Sequence, residues 1–167
     1  MTTFVTVGNL NRPFTRLLDG VRDVADMLTK LIVVQHGPAR FDDPRCVCVE
    51  KLSAAEYRAT LEAASLVICH AGQGSLLEAA ALRKPIVTVP RLARHGEHID
   101  DHQIEFAEYF VERGWAVIPR NGETLAEAAA RAVVPVEVPV LGFDALAETV
   151  SRFVRREAGE LGLDDGA

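Results

Sequence analysis

Apolar residues gather into short continuous runs near residues 3 to 7, 31 to 35, 45 to 49, 65 to 69, 85 to 89 and 115 to 118. Unbroken runs of this length are what strands show when both faces of their sheet are covered, as in a parallel sheet. Between the runs the apolar positions take helical spacing. Phe14-x-Arg16-Leu17 opens an amphipathic stretch, Ser53-x-x-Glu56 has capping-box spacing and predicts a helix over about 54–64, and Thr124 to Ala132 reads as another. Strand and helix in alternation predict an α/β fold, a Rossmann-like doubly wound parallel sheet of about six strands. Pro135 and Pro139 break the pattern, and Phe143 to Glu157 resumes it. The expected organisation is one domain over 1–134 and a helical tail over 135–167, packed on the domain's own flank or on a partner.

Composition narrows the class. The chain has 167 residues, 49% of them hydrophobic, enough for a single core. No apolar stretch approaches the roughly 20 residues that span a bilayer, and no basic segment followed by an apolar one opens the chain, so a cytoplasmic location is expected. The odd count of three cysteines, Cys46, Cys48 and Cys69, predicts reduced, partly buried thiols. With 24 acidic against 18 basic residues and no aromatics interleaved on a basic face, nucleic acid is not an expected partner.

The chemistry concentrates after the fourth run, in Cys69-His70-Ala71-Gly72-Gln73-Gly74-Ser75-Leu76-Leu77-Glu78-Ala79. An apolar strand entering a glycine turn that opens a helix presents unpaired N–H groups and the positive end of the helix dipole, which suits an anion. Gly-x-Gly by itself also occurs in turns that bind nothing. Beyond it, Arg83, Lys84, Arg91 and Arg94 meet no acidic residue between Ala79 and Gly96, which reads either as a steering field for an anionic ligand or as a solvated loop. Ser75 and Glu78 have capping-box spacing, so the carboxylate has a structural role open to it as well as a ligand-binding one. His95, His98 and His102 beside Asp100 and Asp101 have spacings that suit a metal on a helical face, but Gly96 disfavours a continuous helix there, and no metal is expected.

Taken in order, His70-Ala71-Gly72-x-Gly74-Ser75-x-x-Glu78-Ala79, Lys84-Pro85, Val89-Pro90-Arg91 and Glu97-His98-x-Asp100-Asp101-His102-Gln103-x-Glu105 resemble the C-terminal, donor-binding domain of the GT-B glycosyltransferases of family 28. The likeness runs from Thr3 to about Val117. It is greatest to the split enzymes whose donor-binding half is a separate short chain, such as those of N-glycan assembly and of bacterial exopolysaccharide assembly, and the compact length inclines the reading toward the latter. The resemblance implies a single GT-B half-domain that binds a UDP-sugar through Gly8, His70, Ala71, Gly72, Gly74, Ser75, Glu78, Arg91, Asp101, His102 and Gln103. In it Glu78 would accept both ribose hydroxyls, and Asp101, His102 and Gln103 would meet the sugar. The first loop departs from relatives, with Asn9 and Leu10 where a Thr is usual, so a phosphate contact there is not carried over. Gln35-His36-Gly37 resembles the Gln-x-Gly that closes the second strand in relatives.

The implied reaction is inverting transfer to a lipid-linked sugar acceptor, without metal or other cofactor. A membrane-anchored, acceptor-binding partner subunit would supply much of the site and the base, with His102 the candidate base in this chain. That partner would hold the chain at the inner face of the membrane. Two other classes stay open: a UDP-nucleotide-binding regulatory module without transferase activity, and a small hydrolase using His70 or Ser75, for which no Gly-x-Ser-x-Gly elbow exists. The donor sugar is left open among N-acetylglucosamine, glucuronic acid and glucose.

Overall fold

The computed structural model describes residues 1–29 and 31–136. Five apolar runs form strands: β1 (Thr2–Thr6), β2 (Ile32–Gln35), β3 (Cys46–Val49), β4 (Ala64–His70) and β5 (Ile86–Val89). They make one parallel sheet in the order β3-β2-β1-β4-β5. Val5 of β1 pairs with Val34 on one side and Ile68 on the other, so the centre of the sheet is apolar in three successive strands.

The sixth expected strand does not form, and the sheet has five. Its run contributes an isolated bridge between Val117 and Val87, held by Val117 N–H to the Ile86 carbonyl at 2.9 Å and Thr88 N–H to the Val117 carbonyl at 2.8 Å. Pro119 follows two residues later and has no N–H to extend the ladder. The tail helix expected over Phe143 to Glu157 lies outside the described residues.

Alternation along the strands sends neighbouring side chains to opposite faces. Val5, Val34, Ile68 and Val87 pack with Leu17, Leu18 and Val21 of α1 (Thr15–Val24) and Leu125 and Ala128 of α5 (Leu125–Arg131). Phe4, Val67, Cys69 and Ile86 face the other way. They meet Leu61 of α2 (Ala54–Ala63), Leu76 of α3 (Gln73–Ala81) and Phe110 of α4 (His102–Glu112).

Two helices start as their sequences direct: Ser53 with Glu56 and Thr124 with Glu127 form complete capping boxes. At the other end of α2, Lys84 Nζ donates to the Glu62 and Ala64 carbonyls at 2.6 and 2.9 Å. Cys46, Cys48 and Cys69 are free thiols. Burial pushes Cys69 up to about 12 and Cys46 to about 11, so both stay protonated near neutrality. Among the described residues no helix is long and apolar enough to cross a membrane.

Candidate functional site

The chain runs from β1 outward through β2 to β3, then returns to the middle and runs outward the other way through β4 to β5. The strand order therefore reverses between β1 and β4. At such a point the loops leaving the two carboxyl ends diverge and a crevice opens. A cleft of about 430 Å³ lies there. The loop after β1 (Gly8, Asn9), the end of β2 (Gln35), the start of α2 (Leu52, Ala54, Tyr57), His70 and the first turns of α3 (Gly72 to Ser75, Glu78) line it.

His70 closes β4 and fills the space between the two loops. A Cβ placed on either Gly8 or Gly72 would collide with its imidazole, so both glycines are required by the ring's position. Gly8 is doubly constrained, with φ of +75°. The Nδ1 of His70 is shielded from solvent and has no hydrogen-bond partner. Burial lowers the ring's pKa from 6.5 to about 4, Arg91's charge adds to the effect, and the Thr6 backbone opposes it. The imidazole is neutral at pH 7.

Hydrogen bonds among its own residues fix the first loop. Gly8 N–H donates to Thr6 Oγ1 at 3.1 Å, and that hydroxyl donates to Gln35 Oε1 at 2.6 Å. Gln35 Nε2 then donates to the Gly8 carbonyl and to Asn9 Oδ1, both at 3.4 Å. Gly8 thus shapes the cleft, while its N–H is already engaged.

Free donors come from the other loop. Gly72 is the N-cap of α3 and no side chain caps the helix, so the N–H groups of Gln73, Gly74 and Ser75 have no partner within it. The capping box that Ser75 and Glu78 could have formed is absent. The helix starts at Gln73, so Ser75 is already its third residue and Glu78 lies a turn beyond the orphan donors. Glu78 therefore lines the cleft with its carboxylate in no hydrogen bond or ion pair. Beside it Tyr57 packs edge-on to Phe4 at 5.4 Å, with its hydroxyl shielded and without a partner in hydrogen-bond geometry. Burial pushes that phenol up to about 12, with Ser75 opposing. Tyr57 was not legible as a site residue. Only its place four residues after the Ser53 cap, in the first turn of α2, could have pointed to it.

The remaining expected donor-binding residues take other positions. Ala71 is buried in the core beneath the turn. Arg91 is fully buried and stacks on Phe14 at 4.6 Å. Its guanidinium donates to the carbonyls of Val7 (2.8 Å), Arg12 (3.1 Å), Pro13 (3.3 Å) and Glu97 (3.1 Å). Gln103 is buried behind it and accepts from Arg91 N–H at 3.1 Å. Asp101 is exposed and accepts from Ala93 N–H at 2.7 Å. His102 is exposed at the start of α4, with Nδ1 on Asp100 Oδ1. None of these five lines the cleft. The basic stretch does not converge on it either: Lys84 holds the end of α2, Arg91 is in the core, and Arg83 and Arg94 are exposed.

A doubly wound parallel sheet with orphan helix N–H groups and an unpartnered carboxylate at its switch point can hold an anion beside a hydrogen-bond acceptor. The chain belongs to glycosyltransferase family 28, whose C-terminal domain it matches over residues 2–137. It is 37% identical over 95 residues to the UDP-N-acetylglucosamine--N-acetylmuramyl-(pentapeptide) pyrophosphoryl-undecaprenol N-acetylglucosamine transferase of Stutzerimonas stutzeri (strain A1501), a match covering 57% of this chain and 26% of that one. The transferase of the same name from Geobacter metallireducens (strain ATCC 53774 / DSM 7210 / GS-15) is 24% identical over 163 residues, covering 93% of this chain and 43% of the relative. The chain thus spans less than half the length of these curated relatives.

Among solved structures, the solution structure of ALG13 superposes with a TM-score of 0.55 at 20% identity, covering 82% of this chain and 89% of that one. The glycotransferase of kitacinnamycin superposes with a TM-score of 0.60 at 20% identity, over 92% of this chain and 38% of the other. At these identities the superpositions establish the fold.

Proposed function

We propose that this chain is the donor-binding half of an inverting, UDP-sugar-dependent glycosyltransferase, acting with a separate acceptor-binding subunit on a lipid-linked sugar acceptor in glycan or polysaccharide assembly. The observation that carries the reading is the cleft at the β1/β4 switch point, where the orphan N–H groups of α3 and the free carboxylate of Glu78 face one space. The donors at Gln73, Gly74 and Ser75 suit a diphosphate. Glu78, a turn further along, suits the two hydroxyls of a ribose, an interaction in which charge-assisted bonds are each worth about 1.5–3 kcal/mol. In transfer, the acceptor oxygen attacks the anomeric carbon, the bond from that carbon to the β-phosphate oxygen breaks, and UDP leaves with the electron pair. Donors at the helix end stabilise the charge growing on the leaving diphosphate. The proton of the acceptor hydroxyl goes to a base, which this reading assigns to the partner.

Within this reading Arg91 and Gln103 support the rim and do not touch the donor. Neither metal nor another cofactor takes part. Membrane association, at the cytoplasmic face, comes through the partner. Family membership and the N-acetylglucosamine transferases among the relatives favour this class over a nucleotide-binding module without transfer activity.

Calorimetric titration with UDP, UDP-N-acetylglucosamine and UDP-glucuronic acid tests the site. Saturable UDP binding that falls about tenfold to a hundredfold in folded Glu78→Ala is the expected result, by the arithmetic of one or two lost charge-assisted bonds. UDP binding unchanged in Glu78→Ala overturns the ribose assignment. Binding with no sugar transfer in the presence of the co-purified partner overturns the transferase reading in favour of a regulatory module.

A further inference from the structure

His98, Asp100 and His102 lie on the rim outside the cleft, and their ligand atoms fall within 4.8 Å of one another. The spacing of four could have brought the two imidazoles together on a helix, but α4 begins only at His102, and Gly96, left-handed with φ of +68°, closes the short 3-10 turn at Ala93–His95 before it. A loop over 97–101 follows and achieves the convergence in another way. The Nδ1 atoms of both rings address the same carboxylate oxygen, Asp100 Oδ1, His98 from 3.0 Å and His102 in a closer contact. The rings meet edge to face, with centroids 4.6 Å apart.

We infer that His98, Asp100 and His102 form a binding site for Zn²⁺ or a similar imidazole-preferring divalent metal, with two Nδ1 ligands, one carboxylate and an open fourth position. Tetrahedral zinc with bonds of roughly 2.0–2.2 Å places its ligand atoms about 3.3 Å apart, so the three groups need only small shifts to surround an ion. Coordination through Nδ1 requires its lone pair, which the tautomer with the proton on Nε2 offers. One carboxylate and two imidazoles are a donor set that suits zinc over calcium or magnesium.

Both flanks of the loop are already held in place. Glu97 accepts from Leu92 N–H at 2.9 Å and from Arg16 at 2.8 and 3.0 Å, and Asp101 accepts from Ala93 N–H at 2.7 Å. Arg91 and Arg12 donate to the carbonyls of Glu97 and Gly96 at 3.1 and 3.3 Å. Such anchoring lowers the ordering cost of binding. An ion at this place ties the 97–101 loop to the first turn of α4.

The chelator-treated full chain is titrated with Zn²⁺ by calorimetry and with Co²⁺ by visible absorption. One saturable equivalent is expected, with a zinc-dependent rise in melting temperature. Both are lost in His98→Ala and in His102→Ala, and the affinity falls at least about tenfold in Asp100→Asn, which removes the anionic ligand but keeps its shape. His98→Gln and metal-free melting curves control for folding. Absence of saturable binding overturns the site, as does binding that persists in the double His98→Ala/His102→Ala variant. A thiolate-to-cobalt charge-transfer band that disappears with Cys46 and Cys48 also overturns it, by placing the ion at the cysteines.

Discussion

The guanidinium of Arg91, at the end of β5, donates to the carbonyl of Val7, just past the end of β1, at 2.8 Å. The two strands are separated in the sheet by β4, so this bond spans the strand whose end carries His70 and ties together the loops on either side of it. A buried arginine with four carbonyl acceptors is an organiser of backbone. Burial lowers its pKa to about 10, and the Glu97 carboxylate opposes that shift.

Replacing Arg91 by Met keeps much of the packing on Phe14 and leaves the carbonyls of Val7, Arg12, Pro13 and Glu97 without their donor. The expected loss is about 3–5 kcal/mol in urea unfolding. Arg91→Lys recovers little of it, because one ammonium cannot reproduce a planar fork.

Three glycines that look alike in the turn sequence separate sharply. Gly8→Ala and Gly72→Ala force the His70 ring aside and are expected to cost about 1–3 kcal/mol and to weaken nucleotide binding. Gly74→Ala meets nothing within 4 Å and lies inside α3, so it is expected to be neutral or stabilising by up to about 1 kcal/mol. Thermal melts and UDP titrations of the three variants check this ordering.

His70 makes stability depend on pH. Its folded pKa of about 4 lies below the ordinary 6.5, so between those values the unfolded chain takes up a proton that the folded chain does not. Stability is therefore full above pH 6.5 and falls on acidification toward pH 4, by at most about 3 kcal/mol. The carboxylates held low by arginines, Asp43 beside Arg45 and Glu123 beside Arg131, both at about 2, add their own acid sensitivity only below their unfolded values of 3.8 and 4.5. Denaturant midpoints between pH 4.5 and 6.5 should show the slope in the wild type and a flat line in His70→Asn.

Lys84 donates to two carbonyls at the end of α2. Lys84→Met, which keeps the aliphatic stem, is expected to cost about 1–2 kcal/mol in chemical unfolding, with no change in UDP affinity. A change in affinity at unchanged stability would instead restore the steering role that the basic stretch suggests.

The alternation of strands and helices was legible because each strand is a short apolar run covered on both faces, and Ser53 and Thr124 mark helix starts by local chemistry alone. The sixth run was overread because apolarity does not report that Pro119 ends the ladder after one bridge. The uncapped start of α3 was legible in the glycine turn, since its orphan donors come from adjacent backbone. The role of Glu78 was ambiguous, because capping-box spacing matters only where a helix begins, and α3 begins three residues before the Ser75–Glu78 pair requires. The partners of Lys84, Arg91 and Gln103 were not legible for a common reason: sequence gives their charge or polarity but not the distant carbonyls and N–H groups that take them up. Tyr57 was invisible, because its place in the cleft arises from α2 packing on Phe4 of β1.

Among the side chains lining the switch-point cleft, Glu78 is the one acidic group, His70 is neutral, and neither lysine nor arginine is present. Attraction for an anion therefore rests on amide dipoles, whose reach ends within the first turn of a helix. Such a short-range field is weakly screened by dissolved ions. Affinity for a nucleoside diphosphate in this chain alone should vary little with ionic strength, and its association rate should lack the salt-sensitive acceleration that clustered cations confer.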